Sequence, residues 1–347
     1  MMTRRLALAL PALLAGLAAS AAPASPSAQP PEKPKITIAV GGQTLFYYLP
    51  LTLADRLGYF KDEGLDVTIV DFAGGAKALQ AMVGGSADLV SGSFEHTMHM
   101  QAKGIPVTGV VLQERYASIA LGLSKAQAAR YKSPKDLKGL KIGVTAPGSS
   151  TNFFVNALLA MDKIKPDEVS IIGVGSSANA VAAMKKGEID GIANLDPVMT
   201  KLEREGDVVV VADTRTAEGM KKYYGGDYAS SCVYALRPFI DKNPATVQAV
   251  VNAMVRAVQF ARSAPLDKIV ATVPPEYYGS DKESWKAALA KNVDAYSPDG
   301  RISPEGARNV YNVLKMFEPS VMSASIEVDK TFDNRFVEAF HKAHPAK

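Results

Sequence analysis

Apolar and polar positions along this chain follow two spacings, and from residue 35 onward the spacing switches every few residues. Residues 35–40, Lys-Ile-Thr-Ile-Ala-Val, read as a strand closed by Gly41-Gly42. Residues 49–57 have helical spacing, and Gly58 and Gly64 mark the turns that follow. A second strand covers 66–70, and a helix at 77–83 stops at Gly84-Gly85. A short third strand covers 87–91, a helix at 94–102 is closed by Gly104, and a fourth strand covers 107–112. Alternation of this kind predicts a parallel sheet covered by helices on both faces.

A second round begins with a strand at 118–123. A short helix follows at 133–137, with Ser133 as its cap and Pro134 at its first position, where the missing N–H costs nothing. Strands at 141–145, 169–174, 189–193 and 208–211 then alternate with helices at 150–161, 178–186 and 197–205. Residues 228–236 alternate well enough for one more strand. Beyond Pro238 the pattern is helical, apart from breaks at Pro274-Pro275, Gly279 and Pro298-Asp299-Gly300. No sequence repeat of fixed period exists, but the βαβαβ plan recurs before and after about residue 113. Two such lobes joined by crossing strands leave a cleft, and open α/β sheets bind ligands at the carboxyl ends of their strands.

Composition supports this organisation. The 347 residues exceed what one core usually serves, and 47% apolar with 21% charged residues is a globular composition. The N-terminus stands apart: a short basic start through Arg4-Arg5, an apolar run at 6–19, and small residues through Ala24. That is the order of a secretory signal, and cleavage is expected near Ala21 or Ala24. The Arg4-Arg5 pair admits a twin-arginine route, while a general secretory signal also begins with basic residues. Cleavage would lower the formal charge from +4 to +2, and no basic block is present, which argues against a nucleic-acid partner. The lone cysteine, Cys232, excludes an intramolecular disulfide, and the leader has no cysteine to carry a lipid. The expectation is a soluble, monomeric periplasmic protein without a lipid anchor. Residues 25–34, with four prolines, read as a flexible or extended lead-in.

Several segments together resemble the periplasmic sulfonate/nitrate/taurine-binding proteins of ABC importers, whose relatives bind thiamine-pyrimidine precursors. The match runs over roughly residues 35–264. Its pieces are Leu-Ala-Asp-Arg-Leu-Gly-Tyr-Phe-Lys-Asp-Glu-Gly-Leu-Asp-Val at 53–67 with Phe-Ala-Gly-Gly at 72–75, and Gly-Gly-Ser-Ala-Asp-Leu-Val-Ser-Gly at 84–92. Further on come Ser-Pro-Lys-Asp-Leu-Lys-Gly-Leu-Lys-Ile-Gly at 133–143, Gly-Ser-Ser at 148–150, and Lys-Gly-Glu-Ile-Asp-Gly at 186–191 with Asp196-Pro197. The resemblance implies an α/β, two-lobed periplasmic-binding-protein fold of type II. The first lobe would comprise 35–114 and 229–347, and the second 115–228. It also implies crossings near 113–118 and 228–231, C-terminal helices packed back on the first lobe, and a permease with its ATPase as partners. Two departures stand out: Leu195 where the family often has an aromatic residue, and the segment 93–99, which brings a carboxylate and imidazoles.

The candidate ligand residues sit at predicted strand ends. The turn Ser149, Ser150, Thr151 and Asn152 opens a helix, where free backbone N–H groups and the helix dipole suit an anion; an ordinary N-cap is the alternative. Gln43 and Thr44 follow the first strand, Gly74 and Gly75 the second, and Ser91 and Ser93 the third; each set also fits turn chemistry alone. Asn194 and Asp196 end a later strand, with Asp196-Pro197 also reading as a helix start. Glu95 either complements the dipole of its helix or faces the cleft, and in the second case it suits a zwitterion with an ammonium group beside it. Arg115 lies near the crossing and either reaches an anion or pairs at the surface. His96 with His99, and His341 with His344, have helical spacing but no further ligand nearby, so no metal and no cofactor are expected. The resulting expectation is a non-catalytic binder of a small anionic or zwitterionic solute. A pyrimidine or aromatic-acid binder, or a protein feeding a sensor, fits the same residues. An enzyme reading lacks a cysteine-rich motif and a G-x-S-x-G elbow.

Overall fold

The computed structural model describes residues 29–345, so the expected leader peptide lies outside the described residues. Short β-branched runs bounded by glycine and aspartate become strands of four to six residues. The first sheet contains β1 (Lys35–Val40), β2 (Asp66–Asp71), β3 (Leu89–Ser93) and β4 (Val107–Leu112), in the order β2-β1-β3-β10-β4, with β10 (Ser231–Leu236) inserted. The second contains β5 (Ile119–Leu123), β6 (Lys141–Val144), β7 (Ser170–Gly173), β8 (Gly191–Leu195) and β9 (Val209–Asp213), in the order β7-β6-β8-β5-β9. This is the two-lobed α/β architecture expected from the sequence.

The alternation predicted a parallel sheet, and both sheets prove to be mixed. β10 runs antiparallel to β3 and β4, and β5 runs antiparallel to β8 and β9. Each is the strand entered directly from a crossing between lobes, so it arrives from the cleft end of its sheet and must point the other way. The inserted strand takes the same place in both sheets.

Two predicted strands also shift. Residues 87–91 and 189–193 begin two residues later, as β3 and β8. The same device causes both shifts. Asp88 accepts a hydrogen bond from Thr37 N, and Asp190 accepts one from Lys141 N, so each carboxylate closes a turn at the start of the neighbouring strand. The helix Ala217–Tyr224 was not expected. Its signals were present: Thr216 caps its N-terminus through Gly219 N, and Gly225 ends it in the left-handed region (φ +82°).

C-terminal helices pack against elements of the first sheet: Pro244–Ser263 and Arg335–Ala343 both contact β4. The 20-residue helix Pro244–Ser263 buries one apolar face against Leu49–Arg56 and Tyr59–Asp62. The end of the proline-rich lead-in is tied to it: Glu32 accepts from Ala245 N and Thr246 N, capping that helix. Two later helices reach the boundary between lobes. Lys282–Asn292 approaches β8 through Asn292, and Pro304–Leu314 packs on Glu95–Gln101, Ser150–Met161 and Ala217–Tyr224. Among the described residues, no helix is long and apolar enough to cross a membrane.

Candidate functional site

The carboxyl ends of β1, β2, β3 and β4, and the start of β10, all face the second lobe. Backbone bonds bring three chain segments together there. Phe94 N donates to Ser230 O, and Ser230 N donates to Glu114 O. Ser230 therefore holds the chain just before Glu95 and the chain at Glu114 on either side of itself. Tyr47 OH is hydrogen-bonded to Ser230 Oγ at 2.9 Å, at the centre of this arrangement.

Two carboxyls are enclosed around that tyrosine: Glu95 is 2% exposed and Glu114 0%. Glu95 Oε1 accepts from Tyr228 OH at 2.7 Å, and its other oxygen accepts from Ser93 Oγ. Glu114 Oε2 accepts from Ser118 Oγ at 2.9 Å, while Oε1 has no partner among the described residues. No lysine or arginine among the described residues lies within salt-bridge distance of either. Burial therefore pushes Glu95 up to about 7 and Glu114 up to about 8, the latter helped by the negative charge of Asp196. Tyr224 stacks on Tyr228, with ring centroids 4.4 Å apart and planes 12° apart. The Tyr224 hydroxyl is buried and also lacks a partner among the described residues.

The second lobe presents loops whose polar groups bond mainly to each other. Thr151 Oγ1 accepts from Thr145 N and is hydrogen-bonded to Thr145 Oγ1. Asn152 accepts from Gly148 N, and Asn194 donates to Gly175 O and accepts from Leu195 N. Asp196 accepts from Thr200 N and Oγ1, pairs with Arg215 at 3.3 Å, and takes Asn292 Nδ2 of the C-terminal region at 2.9 Å. None of these residues has its whole hydrogen-bonding capacity free for a solute.

Where the lobes meet, they are latched. Ala76 N donates to Ser149 Oγ at 2.9 Å, and Phe46 N donates to Asp196 O at 3.0 Å. His96 is hydrogen-bonded to Tyr234 OH through Nδ1 and to Gly148 O through Nε2 at 3.3 Å. The carbonyl can only accept, so Nε2 carries the proton; burial lowers this imidazole to about 4 and keeps it neutral. Glycines allow the close approach. A Cβ on Gly74 would sit 2.9 Å from Ala146 Cβ, and one on Gly42 2.3 Å from Ser176 Oγ. Two grooves flank the contact. One, of about 680 Å³, runs between Ser176–Ala178 and Pro197–Arg204 on one wall and Tyr277, Tyr278 and Trp285 on the other. Trp285 packs edge-on against Phe46 at 4.9 Å. The other, of about 450 Å³, lies between Leu79, His99 and Pro147.

The residues singled out from sequence are thus divided. Ser93 and Glu95 join the enclosed cluster. Gly74, Gly75 and Ser149 lie at the inter-lobe contact, and Ser150 is buried beside it. Gln43 is held through its backbone N–H by Asp71, Thr44 lines the larger groove, and Ser91 bonds with Gln113 inside the first lobe. Thr151, Asn152, Asn194 and Asp196 serve the second lobe's own networks. Arg115 donates to Asp294 O. Sequence reasoning missed Glu114, Tyr47, Tyr224 and Tyr228. For Glu114 a signal existed: it stands two residues beyond an apolar strand, at the crossing itself. The tyrosines carry no local signal, because tertiary packing alone brings them together.

Known proteins share the fold and stretches of the sequence. The NMT1/THI5 like family matches over residues 46–267. A 4-amino-5-hydroxymethyl-2-methylpyrimidine phosphate synthase of Saccharomyces cerevisiae, THI13, is 25% identical over 242 residues, 67% of this chain and 68% of that protein. A protein of Bordetella bronchiseptica RB50 of known structure is 48% identical with a TM-score of 0.89, over 92% of this chain and all of that one (100%). The alkanesulfonate-binding protein SsuA of Xanthomonas axonopodis pv. citri, bound to MOPS, has a TM-score of 0.68 at 18% identity, over 87% of this chain and 98% of its own. That last likeness is one of fold, and with the family match it leads to one statement: the chain belongs to the NMT1/THI5 like family and has the two-lobed periplasmic-binding-protein fold.

Proposed function

We propose that this protein is the exported solute-binding component of an ABC importer, which closes its two lobes over a small organic solute and presents the loaded form to a permease and its ATPase. The observation that carries this reading is the set of side-chain and backbone latches between lobes, arranged around an enclosed polar cluster with unpartnered groups. Contacts of that kind form and break as lobes hinge, which is how such proteins couple loading to shape. The names of the fold relatives support import, and the order of the N-terminal residues supports export to the periplasm.

Binding without chemical turnover is part of the proposal. Cys232 is fully buried in β10 and burial raises its thiol well above its ordinary value, which keeps it from acting as a nucleophile or metal ligand. The solute was expected to be a sulfonate-, taurine- or nitrate-like anion or zwitterion, anchored on the Gly148–Ser150 turn. That turn now spends Ser149 Oγ and Gly148 O on the first lobe. A pyrimidine-type solute is the second reading, favoured by the uncompensated carboxyls and by the activity for which the yeast relative is named.

The test is a thermal-shift screen of the mature protein against sulfonates, nitrate, taurine, carboxylates and pyrimidines, followed by small-angle scattering with each hit. A solute at a hundredfold excess over its Kd should stabilise the protein by about 2.7 kcal/mol. The radius of gyration should also fall. Hits that stabilise without compaction, or a solute chemically converted during incubation, would count against a hinge-closing binder.

A further inference from the structure

We propose that the first crossing between the lobes is a proton-coupled pivot. Ser118 keeps its left-handed turn while the carboxyl of Glu114 is neutral and enclosed, and ionisation of Glu114 favours parting of the lobes. The inference rests on the lobe-closing reading above and adds how protons act on it, whatever the solute.

The first ground is the backbone of the crossing. Residues 113–115 are fixed from both sides. Gln113 N and Glu114 N donate to Ser231 O, and Ser230 N donates to Glu114 O. On the other side Arg115 N donates to Ala295 O, and Ser297 N donates to Gln113 O. From Ile119 the chain is fixed again as β5. Tyr116, Ala117 and Ser118 link these anchored stretches, and Ser118 has φ +56°. That left-handed region is costly for a residue with a Cβ. Ser118 is held there by its N–H, which donates to Thr214 O at 3.3 Å, and by its hydroxyl, which donates to Glu114 Oε2 at 2.9 Å, with Tyr116 O further off at 3.5 Å. The acid therefore holds the one backbone turn of the link that resists being formed.

The second ground is what encloses Glu114. Titratable groups face it from both sheets and from the C-terminal region: Tyr47 and Tyr48 after β1, Asp196 after β8, and Tyr296. Arg215 is spent on Asp196, Asp213 and Glu203, and Arg115 turns to Asp294 O. The bond from Phe46 N to Asp196 O draws two of these walls together, so parting the lobes admits water to the carboxyl. Without a counter-charge the enclosed acid is stable only with its proton, whereas in water it ionises. Closing therefore takes up a proton, and a rise in pH favours the open form. Glu95 is held to about 7 and Glu114 to about 8, while His96 is already neutral. Above pH 7, Glu114 is the group that still has most of its proton to lose.

Disulfide trapping in the solute-free mature protein tests this. A Cβ on Gly148 would stand 3.7 Å from Ala76 Cβ across the lobes, the spacing of a disulfide. Ala76→Cys with Gly148→Cys should therefore cross-link only in the closed form, at a rate followed by mass spectrometry under excess oxidised glutathione. Thiol chemistry and the strain at residue 148 are common to every background and cancel in a ratio of rates. Between pH 7 and 8.5 the rate with Glu114→Gln, relative to the rate without it, should rise by about eightfold. Glu95→Gln should raise its own ratio by only about twofold. Glu114→Met should match Glu114→Gln, and takes its place if the amide does not fold. The pivot is tested without touching the acid: Ser118→Gly and Ser118→Ala lose the same hydroxyl, but only alanine pays for the left-handed turn. The glycine background should trap about fivefold faster. Equal rates in that pair would overturn Ser118 as the pivot. A Glu114 ratio that stays flat, or rises no more than that of Glu95, would overturn the proton coupling. No trapping in any folded background would overturn lobe closing itself. Trapping as expected, in a protein that no solute in the thermal screen stabilises, would leave the pivot standing and remove the solute reading.

Discussion

The first and second lobes have the same strand plan, with the inserted antiparallel strand in the same place, yet they bring opposite chemistry to the cleft. The first lobe contributes Glu95, Glu114 and Tyr47, enclosed and in part unpartnered. The second contributes turns whose threonines, asparagines and aspartate are mostly satisfied within that lobe. The first lobe brings the acids, while the second adds the Tyr224–Tyr228 stack to turns that bond mainly among themselves. Shared topology fixes where strand ends lie but leaves the side chains at those ends free to differ.

The largest test of this division is Asp196→Ala. If the second lobe's polar groups are structural, this change leaves Arg215 half-stranded and frees Thr200 and Asn292. Unfolding free energy measured in urea should then fall by about 3–5 kcal/mol. A loss under about 1 kcal/mol with a large loss of solute affinity would make Asp196 a recognition residue and break the comparison.

Next in size is Gly74→Leu. The backbone at Gly74 is extended (φ −179°), which any residue adopts, so the substitution carries no local strain. The new side chain meets Ala146 only when the lobes are together. Overpacking of about 1–3 kcal/mol should therefore fall on closure, weakening solute binding by about ten- to hundredfold. Melting of the unloaded protein should stay near the parent's. An equal loss of stability without solute would show that the contact belongs to the fold and not to closure.

A third test uses pH. The ordinary carboxyl value is 4.5, and the closed protein holds Glu95 to about 7 and Glu114 to about 8. The native state binds more protons than the unfolded chain in that interval, so stability falls as pH rises through it. His96, lowered from 6.5 to about 4, works in the opposite sense between those values. Above pH 6.5 only the carboxyl effect remains. Stability should drop by about 2 kcal/mol between pH 6.5 and 8, and Glu114→Gln should remove most of the slope. A flat profile in the parent would mean that water reaches the acids and that the first lobe is no more enclosed than the second.

The smallest expected effect is that of Ser149→Ala. Losing the bond from Ala76 N should cost about 1 kcal/mol, seen as a severalfold weaker solute affinity. A hundredfold loss would return Ser149 to the role of direct ligand contact.

Much of the fold was legible from spacing alone, because each lobe repeats short strands bounded by glycine and aspartate. What periodicity could not show was strand direction. β5 and β10 read like any other strand, and only the crossing between lobes makes them antiparallel. The candidate site was half legible. Glycines and serines at strand ends marked the cleft, but spacing does not say whether a hydroxyl faces a solute, a neighbouring loop or the opposite lobe. Glu95 was visible at a helix start, whereas Glu114 gains its meaning from burial, and the Tyr224–Tyr228 stack joins the last residue of a helix that went unread to a residue beyond its end.

Trp285 is the lone tryptophan in the chain, and it stands in the groove between the lobes with one edge on Phe46. Its indole is thus a built-in optical gauge. Ultraviolet emission should come from one site, shift to the red when the lobes part and water wets the ring, and shift back to the blue on loading. Stopped-flow mixing could then time the opening and shutting of the molecule with no label attached.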